Sequence, residues 1–262
     1  MGDRGVDYQE IATQLFRAQT EGREVNKITV DYPELTVEDA YAIQAHVMAL
    51  AERDGDSLVG WKMGLTSQAK QRSVGVHQPI FGRLTARMEL VSNQVSMHGL
   101  IHPRLEPEIA FVLKKPLGGH RVTVRDVWAA TECMMPAIEI IDSRYRDFSF
   151  TLVDVVADNA SACQFYLSEQ AFSPYDRLWD TTGVTMCQNG HLVQSGSAAA
   201  ILGHPVRSVV QLTRMLALQE ISLNAGAVIL AGGITDAVPI AAGDVVQVRF
   251  DGLGDMVMAA GA

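Results

Sequence analysis

In the run Arg104-Leu105-Glu106-Pro107-Glu108-Ile109-Ala110-Phe111-Val112-Leu113, two carboxylates stand two residues apart among apolar and β-branched side chains. Read as a strand, the run points Glu106 and Glu108 to one face, where like charges repel. A hard divalent cation with oxygen ligands, Mg²⁺ or Mn²⁺, relieves that repulsion. A second apolar run, Met134 to Asp142, carries a further acid, Glu139, and an acid in such surroundings needs a partner. Three carboxylates fill one face of an octahedron and leave the other positions open for substrate and water. Taken alone, the Glu106/Glu108 pair also fits a solvated strand edge, which Pro107 tolerates because it donates no ladder hydrogen bond. Lys62, in Val59-Gly60-Trp61-Lys62-Met63-Gly64-Leu65-Thr66, lies between glycines that let a ligand approach the backbone closely. It fits equally a lysine that extends its ammonium to the surface.

The elements that must position these groups divide the chain at about residue 56. Residues 7–53 show helical periodicity, with Ile11, Leu15 and Phe16 on one face and a break at Val30-Asp31-Tyr32-Pro33-Glu34. Thr36 with Asp39 three residues on forms a capping box, and Ala40, Ile43, Val47 and Leu50 follow at helical spacing. Residues 1–56 therefore read as a helical lobe. From Ser57 the texture becomes short apolar runs between Gly, Pro, Asp and Asn, so residues 57–262 read as a β-rich catalytic domain. Within it, Thr123 to Met134 predicts a helix before the Glu139 strand. Ser143 to Phe148 predicts a loop able to cover a site, and Asp154 to Ala162 a turn under a pocket floor. His204 and Pro205 open a helix from Val206 to about Gln219, Ala231-Gly232-Gly233-Ile234-Thr235 is a turn that could offer N–H groups to an anion, and residues 245–254 begin a terminal hairpin.

The 262 residues carry a net charge of −9 with neither a basic cluster nor a basic helix face, which argues against nucleic acid and anionic membranes as partners. Cys133, Cys163 and Cys187 are odd in number and widely spaced, which suits a reducing compartment better than a disulfide framework. No apolar run approaches the ~18 residues of a membrane span, and the N-terminus leads into polar helical sequence, so a cytoplasmic location is expected.

Four stretches in order, Gly60-Trp61-Lys62-Met63-Gly64-Leu65-Thr66, Glu106-Pro107-Glu108, Pro136 to Arg144 with Glu139, and Val156-Ala157-Asp158-Asn159-Ala160-Ser161, resemble the fumarylacetoacetate hydrolase superfamily, in particular its hydratase and decarboxylase branch of aromatic meta-cleavage catabolism. The resemblance covers nearly the whole chain. It implies an α+β fold with a mixed, mostly β catalytic body. It also implies Mg²⁺ or Mn²⁺ on Glu106, Glu108 and Glu139, and a catalytic, substrate-facing Lys62. The implied activity is decarboxylation of the dicarboxylate 2-oxohex-3-enedioate to 2-hydroxypenta-2,4-dienoate and CO₂. Leu65, Ile80, Arg144 and Ser161 are candidates for the remaining substrate contacts. A homo-oligomer and a complex with the pathway hydratase are the expected assemblies.

Hydratases of the branch carry an acid in a Pro-Asp-Phe/Tyr-Gly turn, where this chain has Gln78-Pro79-Ile80-Phe81-Gly82. Ile80 has no proton to move, which disfavours hydration and leaves decarboxylation possible. A departure from the decarboxylase pattern is Ala231, where a threonine is expected before the double glycine. Three alternatives stay open: a hydratase, an acylpyruvate hydrolase using His77 or His102 as base, and a non-catalytic subunit that supports a hydratase.

Overall fold

The computed structural model describes residues 6–67, 71 and 78–261. Three helices open the chain: α1 (Tyr8–Glu21), the single turn α2 (Ile28–Asp31) and α3 (Val37–Arg53). Asp7 caps α1 by accepting from Gln9 N and Glu10 N, and the Thr36/Asp39 capping box starts α3 as its sequence predicts. The apolar faces of α1 and α3 meet through Ile11, Leu15, Ala40, Ile43 and Val47. The same cluster also takes in Ile80, Tyr145, Val156 and Ala160 from farther along the chain. The helical lobe thus has its core completed by the β-rich part.

One sheet holds β2 (Ile80–Thr85), β1 (Leu58–Gly64), β9 (Val228–Leu230), β4 (Arg104–Leu113), β5 (Thr131–Ile141) and β6 (Ala162–Leu167) in that order, and β10 (Val238–Pro239) also pairs with β4. A second sheet runs β3 (Gln94–Val95), β12 (Gly254–Ala260), β11 (Val245–Phe250), β7 (Gly183–Gln188) and β8 (His191–Ser197). β11 alternates cleanly: Val246, Val248 and Phe250 are buried, whereas Val245, Gln247 and Arg249 face solvent. Its inner side joins Leu105, Ile109 and Phe111 of β4 and the helix α6 (Pro205–Ala217) in the main core. His204 caps α6, its Nδ1 accepting from Val206 N at 3.0 Å. Among the described residues no helix is long and apolar enough to cross a membrane.

Two local expectations are corrected. The helix predicted over 123–134 is α4 (Val124–Ala130), and strand β5 already begins at Thr131 because Thr131 to Met134 pair with β4 from Leu113 back to Phe111. Here cross-strand pairing overrides local helix propensity. The first four residues of the turn predicted from Asp154 to Ala162 belong instead to α5 (Leu152–Ala157), whose N-terminus is a Thr151/Asp154 capping box. Asp154 also accepts from Thr29 N and Thr29 Oγ1, which ties α2 to α5.

A buried ion pair fastens the end of β5 to the segment before β6. The Arg144 guanidinium bonds Asp158 Oδ1 and the Asp158 carbonyl, and donates to Asp142 O at 2.7 Å and Ala162 O at 3.0 Å. Burial pushes the Asp158 carboxyl from 3.8 up to about 6, even with Arg144 beside it. Because the folded value lies above the unfolded one, this group's contribution to stability is complete below about pH 4 and declines as pH rises through about 6. Arg144→Met strands the carboxyl without its cation. We expect a loss of about 3–5 kcal/mol in urea unfolding, larger at pH 8 than at pH 5. A loss below about 1 kcal/mol that does not change with pH refutes this role.

Candidate active site

Strand register decides which side chains can meet. Glu106 pairs directly with Glu139 across β4 and β5, and Glu108, two residues on, shares their face. On the far side of β9, Lys62 pairs with Leu230, which pairs in turn with Ala110 of β4. Lys62, Glu106, Glu108 and Glu139 therefore project from one face of one sheet. Ala110, Ala137 and Gly82, all at paired positions on that face, are small and leave room for them.

Glu106, Glu108 and Glu139 each offer a carboxylate oxygen within 4.8 Å of the others. Glu108 and Glu139 are fully buried and Glu106 is only 8% exposed. Lys62 is 3% exposed, and its Nζ lies 3.1 Å from Glu139 Oε1 and donates to Ala160 O at 3.0 Å. Burial drives the Glu108 carboxyl well above the usual range; the Glu139 charge adds to this and Lys62 opposes it. Burial raises Glu139 likewise, with Lys62 opposing and Glu106 reinforcing the rise.

The glycine turn does present an N–H to an anion, and that anion is Glu108: Gly232 N donates to Glu108 Oε2 at 2.6 Å. Gly232 is required twice over. Its φ is +119°, and a Cβ there would lie 2.2 Å from Thr66 Oγ1. No hydrogen-bond donor reaches Glu108 Oε1 or Glu139 Oε2, although both are buried. Buried carboxylate oxygens without donors need a cation or a proton. One ammonium against three carboxylates leaves two negative charges, which a hard divalent ion neutralises with the oxygen ligands it prefers. The residues present thus fit Mg²⁺ or Mn²⁺.

Beside this cluster lies a cavity of about 270 Å³. Its polar lining is Lys62, Glu106, Thr66, Thr151 and Ser161, and its apolar lining includes Leu65, Ile80, Phe148, Phe150, Leu152 and Val155. Of the candidate substrate contacts, Leu65, Ile80 and Ser161 are brought together here. Arg144 is not: its guanidinium is spent on Asp158 and backbone carbonyls, and it borders a different cavity with Asp142 and Cys163. That position is corrected because a buried arginine with four acceptors has little left for a ligand. His102 Nε2 lies 2.7 Å from Glu24 Oε1 and His102 does not line the cavity, and His77 lies outside the described residues. Ala231 is buried, its carbonyl accepting from Ser208 Oγ at 2.6 Å.

Sequence reasoning missed Thr66, Thr151, Phe150, Leu152 and Val155 as wall residues, although the loop flagged at 143–148 does contribute Phe148. It also missed the backbone. Leu65, Asn159, Ala160 and Ser161 all adopt left-handed φ near +55°, a conformation costing non-glycine residues on the order of 1 kcal/mol each and concentrated at functional sites.

Residues 65–259 match the fumarylacetoacetate (FAA) hydrolase C-terminal family. The chain is 43% identical over 244 residues to a 4-oxalocrotonate decarboxylase of Pseudomonas sp. (strain CF600), covering 93% of this chain and 92% of that one. It is 41% identical over 254 residues to a 2-hydroxyhexa-2,4-dienoate hydratase of Comamonas testosteroni, covering 95% and 96%. Among solved structures, a 4-oxalocrotonate decarboxylase from Pseudomonas putida G7 complexed with magnesium and adipate superposes with a TM-score of 0.95 at 39% identity, over 99% of both chains. With its sequence matched over most of its length and its fold matched over nearly all of it, the chain belongs to the fumarylacetoacetate hydrolase family.

Proposed function

We propose that this chain is a Mg²⁺- or Mn²⁺-dependent lyase that decarboxylates 2-oxohex-3-enedioate (4-oxalocrotonate) to 2-hydroxypenta-2,4-dienoate. Decarboxylase and hydratase relatives stand at 43% and 41% identity, so likeness alone does not separate the two activities. The observation that carries the choice is Ile80, a 3% exposed wall residue of the cavity. Hydration needs a group that moves a proton, and isoleucine moves none. Among the described residues, the titratable side chains lining the cavity are Lys62 and Glu106.

In this reading Glu106, Glu108 and Glu139 hold the divalent ion. When bound, the ion would supply Lewis-acid chemistry that draws negative charge toward the 2-oxygen of a 2-oxo acid. Lys62 presents an ammonium toward the same 2-oxygen. As the bond to the distal carboxylate breaks, CO₂ leaves without the electron pair, which moves through the conjugated chain to the 2-oxygen. A fixed positive charge there is stronger in the buried site than in water. Phe148, Phe150, Leu152 and Val155 keep water from the distal carboxylate, and apolar surroundings favour neutral CO₂ over the anion. Residues 57–262 carry every group named. In the proposed division, the helical lobe of residues 1–56 acts as their buttress.

The same reading extends to setting and assembly. Three unpaired cysteines support a cytoplasmic location. A homo-oligomer, and a mixed complex with the hydratase that consumes the product, belong to the same proposal, and size-exclusion chromatography with light scattering, alone and after mixing with that hydratase, tests both.

With Mg²⁺ present, coupled CO₂ and ultraviolet assays should register decarboxylation of 2-oxohex-3-enedioate and no hydration of 2-hydroxypenta-2,4-dienoate; the opposite pattern transfers the assignment to the hydratases. Glu106→Gln and Glu108→Gln should abolish turnover while the protein stays folded. Both should also lose the thermal stabilisation that Mg²⁺ gives the parent, about 2.7 kcal/mol at a hundredfold excess over Kd. Metal-independent turnover at the parental rate in either variant contradicts the carboxylate site. Lys62→Met should lower kcat about 10²–10³-fold with Mg²⁺ affinity undiminished, the size expected for one lost electrostatic contact to developing charge. A kcat within a few-fold of the parent removes Lys62 from the chemistry.

A further inference from the structure

Asn159, Ala160 and Ser161 are three successive non-glycine residues with φ of 53°, 53° and 55°. The turn they form delivers two things to the site. The Ala160 carbonyl accepts the hydrogen bond from Lys62 Nζ, and Ala160 and Ser161 line the cavity. Left-handed residues in series persist only where their surroundings hold them. On one side Ser161 N donates to Asp158 O and Asp142 N donates to Ser161 O, each at 2.9 Å.

The other side is held by a side chain. Asn159 Oδ1 accepts from Arg83 N at 2.7 Å, and Asn159 Nδ2 donates to Arg83 O at 2.8 Å. β2 is an edge strand of its sheet, and this amide makes the pair of bonds that a neighbouring strand would make. Gly82, next to Arg83, lets the turn seat: a Cβ there would lie 2.5 Å from Asn159 O. Gly82 is also the cross-strand partner of Lys62. β2 therefore registers the lysine's backbone on one edge and, through Asn159, the acceptor of its ammonium on the other.

We propose that Asn159 is a positioning residue for Lys62, whose side-chain amide clamps the left-handed turn to β2 and so aims the Ala160 carbonyl at Nζ. The inference rests on the reading that Lys62 faces a 2-oxo acid, and it adds the device that sets the ammonium's position. Asn159 touches neither substrate nor metal in this scheme and acts only through Lys62.

The test uses the full-length Mg²⁺-loaded protein, with oxalate as the probe of the oxo-acid site. In Asn159→Ala, isothermal titration should give an oxalate Kd raised about tenfold, and kcat should fall about 10²-fold, the penalty for a misplacement near 1 Å. The Mg²⁺ Kd should stay within twofold, because the three carboxylates are untouched. Repeating the oxalate titration in the Lys62→Met background should show no added effect of Asn159→Ala, since residues acting through one another are non-additive. Asn159→Gly, which relieves the left-handed strain but lacks the clamp, should behave like Asn159→Ala and serves where the alanine variant does not fold. A lower Tm with unchanged oxalate binding and kcat makes Asn159 merely structural and overturns the proposal, as does a full oxalate effect that survives without Lys62. If the parent releases no CO₂ from 2-oxohex-3-enedioate yet the oxalate pattern holds, the substrate assignment fails and the positioning role stands.

Discussion

Three buried carboxylates sharing one lysine on a single sheet face is the constraint to which the rest of this fold answers. Such a cluster is unfavourable in isolation: water is excluded, the acids repel, and one ammonium cannot neutralise them. The fold tolerates it by specific means. Gly232 N gives Glu108 a donor, Lys62 sits beside Glu139, and two further carboxylate oxygens are left for a cation. Function and stability thus conflict at this face. A chain optimised for stability alone would place apolar side chains at these three positions.

The sheets supply what the cluster cannot. β5 pairs with β4 along its length, and on the other side β9 pairs at Ala110–Val112, β10 at Arg104 and Leu105, and the glycine turn bonds Ile109 O and Pro107 O between them, while the core of Leu105, Ile109 and Phe111 fills the face opposite the acids. Pro107 sits in this central strand without breaking it. Its carbonyl accepts from Ile234 N of the glycine turn, on the side where β9 has ended and no strand demands an N–H. The helical lobe reaches the same region through Gln44, whose Nε2 donates to Phe81 O and Val156 O and whose Oε1 accepts from Arg83. That single buried amide connects α3, β2 and α5.

Much of this was legible in the chain because it depends on period and residue type. The two-residue spacing of Glu106 and Glu108 set their common face, an isolated acid in an apolar run marked Glu139, and the capping box at Thr36 followed from local pattern. What escaped depends on direction and long-range pairing. Arg144 is a reasonable anion ligand by composition, but it points to Asp158 and not to the cavity, a distinction made by backbone geometry after β5. The start of β5 at Thr131 is decided by its partner strand. The left-handed run at 159–161 contains no glycine, and Asn159 was its one local sign, as the residue that tolerates that region best after glycine.

β9 is three residues long and lies between β1 and β4, parallel to one and antiparallel to the other. Lys62 and Glu108 therefore cannot be assembled from the first half of the chain, however well β4 and β5 pair as a local hairpin. During synthesis the acidic hairpin leaves the ribosome well before residues 228–232, which insert the missing strand and deliver the Gly232 N–H. A nascent chain stalled or cleaved before that point presents unshielded carboxylates and two unpaired strand edges. The last third of the polypeptide, which contributes no carboxylate to the trio, thereby decides whether the carboxylate and lysine cluster is assembled at all.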